Sequence, residues 1–370
     1  MTVTGNKPSA FQCECGQAIY FRNSTCLGCG GGLGYVPYRD VMRRVHPAGD
    51  RRWSARANPG DEQEIYFRCD NLESPAACNW LIPAQAGTYS TLCVACGLNR
   101  TIPNLSIPGN AEKWFRIETA KRRLVASLIR LGLPVRPRIE GDTAGGLAFD
   151  FLEPVPSSAS IQTGHCEGLI TLNIEEAEAA TREQIRARLR ERYRTILGHL
   201  RHETGHYYWE VLVQGGGNID EFRILFGDEQ QDYSSALRRH YDSGPPAGWE
   251  HRYISAYATA HPAEDWAECW AHYLHMTDTL ETADRYGLTV TTHPRLAAVP
   301  VGEPGTVAPE RFRHMTDRWI ELTIAANEIS AAMGNEFFYP FTLSSPVIRK
   351  LEFIDRVVNG TIHGAGSTVF

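Results

Sequence analysis

The sequence predicts an α+β protein, with a small metal-stapled N-terminal region ahead of a larger domain in which strands precede a helical half. Three observations carry this. Eight of the ten cysteines lie before residue 100, in a stretch rich in Gly and Pro and poor in long periodic segments. "GLITLNI", residues 168–174, alternates with the period of two expected of a strand. From Thr181 onward, apolar residues recur at helical spacing, interrupted by glycine and proline.

The bulk composition bounds the function. A chain of 370 residues has room for two or three modules, and 42% hydrophobic with 22% charged residues allows a packed core throughout. No run of 18 or more apolar residues occurs, so no membrane-spanning helix is expected. The opening "MTVTGNKPSAFQCECG" has neither a basic start nor an apolar stretch. It does not read as a secretory signal, and the expected location is the cytoplasm. A net charge of −6 argues against bulk nucleic-acid binding. The charge is unevenly placed, with Arg39, Arg43, Arg44, Arg51, Arg52 and Arg56 close together, and Glu175, Glu176, Glu178 and Glu183 likewise.

Residues 1–105 read as a tandem zinc-ribbon region. "NRTIPNLSIPGN", residues 99–110, supplies the prolines and turn residues of a boundary, and a second domain is expected over 111–370. Its first helix runs over 111–131 and is stopped by Gly132 and Pro134. Residues 135–174 read as strands and turns. Residues 181–213 are helical, in one or two pieces, and end at Gly215–Gly217. A further helix is expected over 228–241, another starting at Pro262, and the last two over 308–333 and 346–358.

The cysteines form two sets. "CECG" (13–16) and "CLGCG" (26–30) supply Cys13, Cys15, Cys26 and Cys29. Four thiolates at that spacing close a tetrahedral zinc site, with Gly16 and Gly30 freeing the backbone for tight knuckles. The second set is Cys69, Cys78, Cys93 and Cys96, with a wider first pair. Sequential and cross-braced pairing both satisfy the spacing. A closed four-thiolate site has no open position, so each zinc would be structural. The Arg39–Arg56 region, with Tyr38 and Trp53, is either a solvated basic face or a contact for an acidic protein or a nucleic acid. Cys166 and Cys269 stand alone and read as small buried side chains.

"LGHLRHETGHYYWE", residues 197–210, carries the chemistry. His202 and His206 are four apart and share one helix face, so both imidazoles can reach one ion. Glu203 can then reach a water beside that ion, in the His-Glu-x-x-His arrangement. The bulky apolar flanks imply that this helix is buried, and a buried polar trio needs partners. A catalytic zinc takes three protein ligands and keeps a fourth position open. Downstream candidates for the third are Glu210, Asp228, Glu229, Asp232, His240, His261, Glu264 and Glu268. In "AEDWAECW", Glu264 and Glu268 again share a face. One can bind the ion while the other accepts a hydrogen bond from a ligand imidazole.

"HETGH" followed by "YATAHPAEDWAE" resembles a gluzincin, a zincin whose third ligand is a glutamate on a second helix. The layout is similar to the catalytic domain of anthrax lethal factor. Across "CNWLIP", "GLITLNI", "GHLRHETGHYYWE", "HPAEDWAECWAHYLH" and the cysteine spacing, the chain resembles the bacterial family of zinc-binding metallopeptidases with an N-terminal zinc ribbon. The resemblance implies a zincin-like fold and one catalytic zinc beside the two structural ones. His202, His206 and Glu264 would be its ligands, Glu203 the general base, Tyr257 an oxyanion donor and Glu268 the partner of a ligand histidine. It also implies that "GLITLN" is the sheet edge against which a peptide substrate extends. Two other readings remain open on sequence grounds. One is a docking protein that uses the ribbons on nucleic acid or protein, including a protease of DNA-bound proteins. The other is a non-catalytic zinc scaffold.

Overall fold

The computed structural model describes residues 11–56, 61–84, 91–139, 145–154, 161, 163–189, 191–290 and 310–364. They form two compact units divided between Arg182 and Glu183.

In the first unit, β1 (Gly32–Val36), β2 (Val41–Pro47), β3 (Arg52–Ala55), β4 (Glu64–Arg68) and β5 (Leu81–Pro83) pair in chain order as an antiparallel meander. Asp40 takes a left-handed φ of 49° in the first turn, and the Tyr35 hydroxyl donates to its carboxylate at 2.8 Å. Val36, Val45, Ala55, Tyr66 and Leu81 form the core of this sheet. Composition alone did not indicate the meander, because its strands are short and broken by glycine, proline and cysteine.

β6 (Asn99–Thr101) leads into α1 (Asn110–Arg130), which crosses over to β7 (Ala148–Leu152). β8 (Gly164–Cys166) and β9 (Leu169–Asn173) complete a second sheet of order β6-β7-β9-β8. The β6–β7 and β7–β9 pairs are parallel, and β8–β9 is antiparallel. Trp114, Ile117, Leu124, Val125 and Leu128 form the buried stripe of α1. Lys121, fully buried on that helix, pairs with Glu118 at 2.7 Å and lies over the Phe149 and Phe151 rings of β7. On β9, Ile170 and Leu172 are buried while Leu169, Thr171 and Asn173 are half-buried, as the alternation requires.

Two expectations are corrected here. "GLITLN" is not a sheet edge, because β9 is flanked by β7 and β8. β8 is three residues long and too short for its alternation to show in the sequence. Cys166, at the end of that edge strand, is exposed rather than buried. A short edge strand has only one neighbour, so its side chains are less completely covered.

After α2 (Ala179–Leu189), the second unit is helical. It contains α3 (Ile196–Trp209), α4 (Ile219–Phe226), α5 (Tyr233–Ser243), α6 (Pro262–Arg285), α7 (Glu310–Ala332) and α8 (Ser345–Gly364). Residues 308 and 309, expected in the penultimate helix, lie outside the described residues. α4 was not expected. It is one short amphipathic segment, with Phe222 and Phe226 buried four apart. The Thr195 hydroxyl caps α3 by accepting from the Gly198 N–H at 2.9 Å. α3 runs on as a π-turn over Glu210–Gln214 and stops at the glycines. His261 caps α6, its Nδ1 accepting from the Ala263 N–H at 3.1 Å, with Pro262 at the first helical position.

The main contact in this unit is α3 against α6. A Cβ added at Gly205 would lie 2.9 Å from the Ala267 Cα, so the backbones meet there. The Trp266 indole donates to the Gly205 carbonyl at 2.8 Å, and Tyr208 stacks on Trp270 at 4.9 Å. Buried Arg201 pairs with Asp278 across the same crossing. From α8, Lys350 reaches Asp265 at 2.5 Å, and Asp355 accepts from the Tyr273 hydroxyl at 3.0 Å. Among the described residues no helix is long and apolar enough to cross a membrane.

Gly205→Ala should force the two helices apart and destabilise the protein by about 1–3 kcal/mol, the usual range for overpacking a core. Urea unfolding measures this, and an unchanged midpoint would show that the contact is not tight.

Candidate active site

The α3–α6 crossing places side chains from both helices around one point. His202 and His206 lie one turn apart on α3, with ring centroids 5.3 Å apart. Glu264 stands in the first turn of α6. Its Oε2 is 3.0 Å from His202 Nε2, and its Oε1 is 3.9 Å from His206 Nε2. One ligand atom from each residue lies within 4.8 Å of the others. Tetrahedral ligands about 2.0–2.1 Å from a zinc ion lie roughly 3.3–3.5 Å apart. The observed separations bracket that value, so the three groups fit zinc. The Tyr233 hydroxyl occupies Glu264 Oε1 at 2.6 Å, while Oε2 is buried and, with His202 neutral and its proton on Nδ1, accepts no hydrogen bond. A buried carboxylate with one unsatisfied oxygen beside His202 and its other oxygen toward His206 is what a cation would satisfy.

The neighbours set the protonation states. Glu268 Oε1 is 2.7 Å from His202 Nδ1, which leaves Nε2 toward Glu264. Burial disfavours a charged His202, yet Glu264 and Glu268 on either side raise its pKa well above the usual value. Burial would likewise raise the Glu264 carboxyl, but His202, the charge of His206 and the Tyr233 hydroxyl bring it down to about 2. Glu203 is buried, and its Oε1 lies 3.1 Å from His199 Nε2. Burial pulls its pKa upward, but His199, with the charges of His202 and His206, more than offsets this and the net shift is downward. The Tyr257 ring sits 5.9 Å from the His202 ring. Burial and the charge of Glu264 raise the pKa of its phenol well above the usual value, so it keeps its proton.

His199 and Tyr233 were missed by the sequence reading. His199 could have been found, since it lies four residues before Glu203 on the same face. Tyr233 comes from α5 and has no sequence signal. Five other downstream candidates have partners of their own: Asp228 accepts from the Gln230 N–H at 2.9 Å, Glu229 holds Arg223 at 3.0 Å, Asp232 accepts from the Ser235 hydroxyl, His240 lies 3.2 Å from the Thr259 hydroxyl, and His261 is a helix cap.

The cysteines come together as two separate sets in sequential pairing. Cys13, Cys15, Cys26 and Cys29 converge, as do Cys69, Cys78, Cys93 and Cys96. The Sγ–Sγ separations of 3.8 Å (Cys13–Cys29), 3.6 Å (Cys15–Cys26) and 3.6 Å (Cys78–Cys93) match thiolates about 2.3 Å from a tetrahedral zinc. Gly16 and Gly30 hold φ of +88° and +68° at the knuckles. The second set is fully buried, whereas Cys15 and Cys29 of the first are exposed. The basic stretch is largely neutralised within its own unit. Arg39 pairs with Glu64, Arg51 with Asp70 and Arg52 with Asp50, and Arg44 lies 4.0 Å from Glu14.

Residues 110–357 match a family described as "Putative zinc-binding metallo-peptidase", and residues 10–107 match a zinc-ribbon domain. Relatives in Mycobacterium bovis and in two strains of Mycobacterium tuberculosis are 38% identical over 351 residues. The alignment covers 94% of this chain and 95% of theirs, and each relative is named only as an uncharacterized protein. No solved structure matches.

Glu268→Ala should weaken zinc at the histidine site by roughly 10–100-fold, as loss of a ligand's hydrogen-bond partner usually does, and leave both cysteine sites loaded. Competition with a graded chelator measures it. If the site lost zinc outright, Glu268 would be a ligand rather than a support.

Proposed function

The chain belongs to this zinc-binding metallopeptidase family, and we propose that it is a gluzincin-type peptidase whose catalytic zinc is held by His202, His206 and Glu264. The supporting observation is the buried Glu264 carboxylate, whose unsatisfied Oε2 lies 3.0 Å from His202 and whose Oε1 lies 3.9 Å from His206, beside an ionised Glu203. A zinc ion held there supplies a Lewis acid and lowers the pKa of nearby water.

The remaining work falls to the chain's own side chains. Glu203 takes the proton of the water that attacks the peptide carbonyl carbon. As the C–N bond breaks, it delivers a proton to the leaving amine. Tyr257, still protonated at neutral pH, donates to the carbonyl oxygen as negative charge develops there. Glu268 fixes the ring of His202. His199 holds the Glu203 carboxylate at Oε1 and biases it toward the ionised form. In this reading residues 1–105 carry two structural zinc ions, residues 111–370 carry the peptidase, and the protein works in the cytoplasm. The pairing of the arginines with local carboxylates counts against nucleic acid as the partner of the ribbons.

Glu203→Gln should keep all bound zinc and reduce hydrolysis of a quenched-fluorescent peptide library by about 10²–10⁴-fold, the usual contribution of a general base. Turnover at the wild-type rate would remove Glu203 from the mechanism.

A further inference from the structure

The second unit holds a cavity of about 860 Å³ that the mechanism does not use. Its walls come from α4, α5, the segment 252–262 and the start of α8. Five cationic side chains line it, and no aspartate or glutamate does. Two are committed: Arg223 to Glu229 at 3.0 Å, and Lys350 to Asp265 at 2.5 Å. Among the described residues, no carboxylate pairs with Arg239, Arg252 or Arg349. Three unpaired guanidinium groups converge on one concavity in a chain of net charge −6, so a local positive field exists against the overall charge.

The cavity adjoins the proposed active site. His240 lines it, and its ring lies 5.9 Å from the Tyr257 ring, which in turn lies 5.9 Å from the His202 ring. One wall is the short segment that joins Tyr257 to Glu264. An extended chain rises roughly 3.4 Å per residue, so about four substrate residues span those two ring contacts.

We infer that this cavity, whose wall at His240 lies about four residues from the cleaved bond, is a subsite for a carboxylate of the substrate, received by Arg239, Arg252 and Arg349. The carboxylate is either an acidic side chain or the substrate's own C-terminus. Guanidinium groups suit it because their planar fork matches the two oxygens. The assignment to a substrate rests on the peptidase reading; the affinity for carboxylate does not.

The test uses the full-length, zinc-loaded Glu203→Gln protein and fluorescein-labelled hexaglutamate and hexaglutamine peptides, each with a free or an amidated C-terminus. Fluorescence anisotropy should show binding roughly tenfold tighter or more with the recognised carboxylate present, either on the side chains (hexaglutamate over hexaglutamine) or at the C-terminus (free over amidated), the range expected when hydrogen bonds to a charged group are gained. Arg239→Gln with Arg349→Gln should remove most of that advantage. Arg238→Gln, beside Arg239 but not lining the cavity, should keep it. If amidation alone abolishes binding, the terminus is the source; if amidation has no effect, the side chains are. Equal binding of all four peptides would overturn the subsite, and so would a carboxylate advantage that survives the double variant or tighter binding of inorganic phosphate. Carboxylate binding in a protein whose wild type cleaves no peptide would sink the peptidase reading and leave the subsite standing. Cleavage without carboxylate preference would do the reverse.

Discussion

The close approach of α3 and α6 at Gly205 is the constraint on which the site depends. A side chain at that position would meet the Ala267 backbone, so the helices reach their spacing only with glycine there. His202 and His206 lie on either side of Gly205, and Glu264 and Glu268 on either side of Ala267. The crossing therefore fixes the distance between two imidazoles and a carboxylate to within what one ion can bridge. The Trp266 indole on the Gly205 carbonyl and the Arg201–Asp278 pair hold the crossing in register.

Electrostatics explains why this crossing suits a cation. Glu203 and Glu264 are buried, and Glu268 is half-buried beside Trp266, Cys269 and Trp270. Three carboxylates in such surroundings need compensating positive charge. Without an ion, proton uptake by His202 supplies part of it. Zinc would replace that proton, so loading is expected to release protons and to weaken as pH falls. The hydroxyls of Tyr233 and Tyr257 do not ionise near neutral pH and add no negative charge.

Local periodicity made part of this legible. The His202–His206 spacing and the capped start of α6 at His261 and Pro262 depend on residues within one or two turns of each other. The cysteine spacings indicated metal sites, but their sequential pairing emerged only from the fold. Contacts made across long stretches of chain left no sequence signal. Tyr233 reaches Glu264 from α5, and the arginine-lined cavity is assembled from four separate segments. The misreading of "GLITLN" as an edge has the same cause, since only pairing with the three-residue β8 places that strand inside its sheet.

Everything proposed for the site requires that the histidine helix hold a metal ion distinct from those of the ribbons. Native mass spectrometry of the intact wild-type protein and of His202→Ala tests it most directly. Two four-thiolate sites and one His-His-Glu site predict about three zinc ions per chain, falling to about two in the variant. About two ions in both proteins would mean that the helix binds no zinc and that His202, His206 and Glu264 are not a metal site.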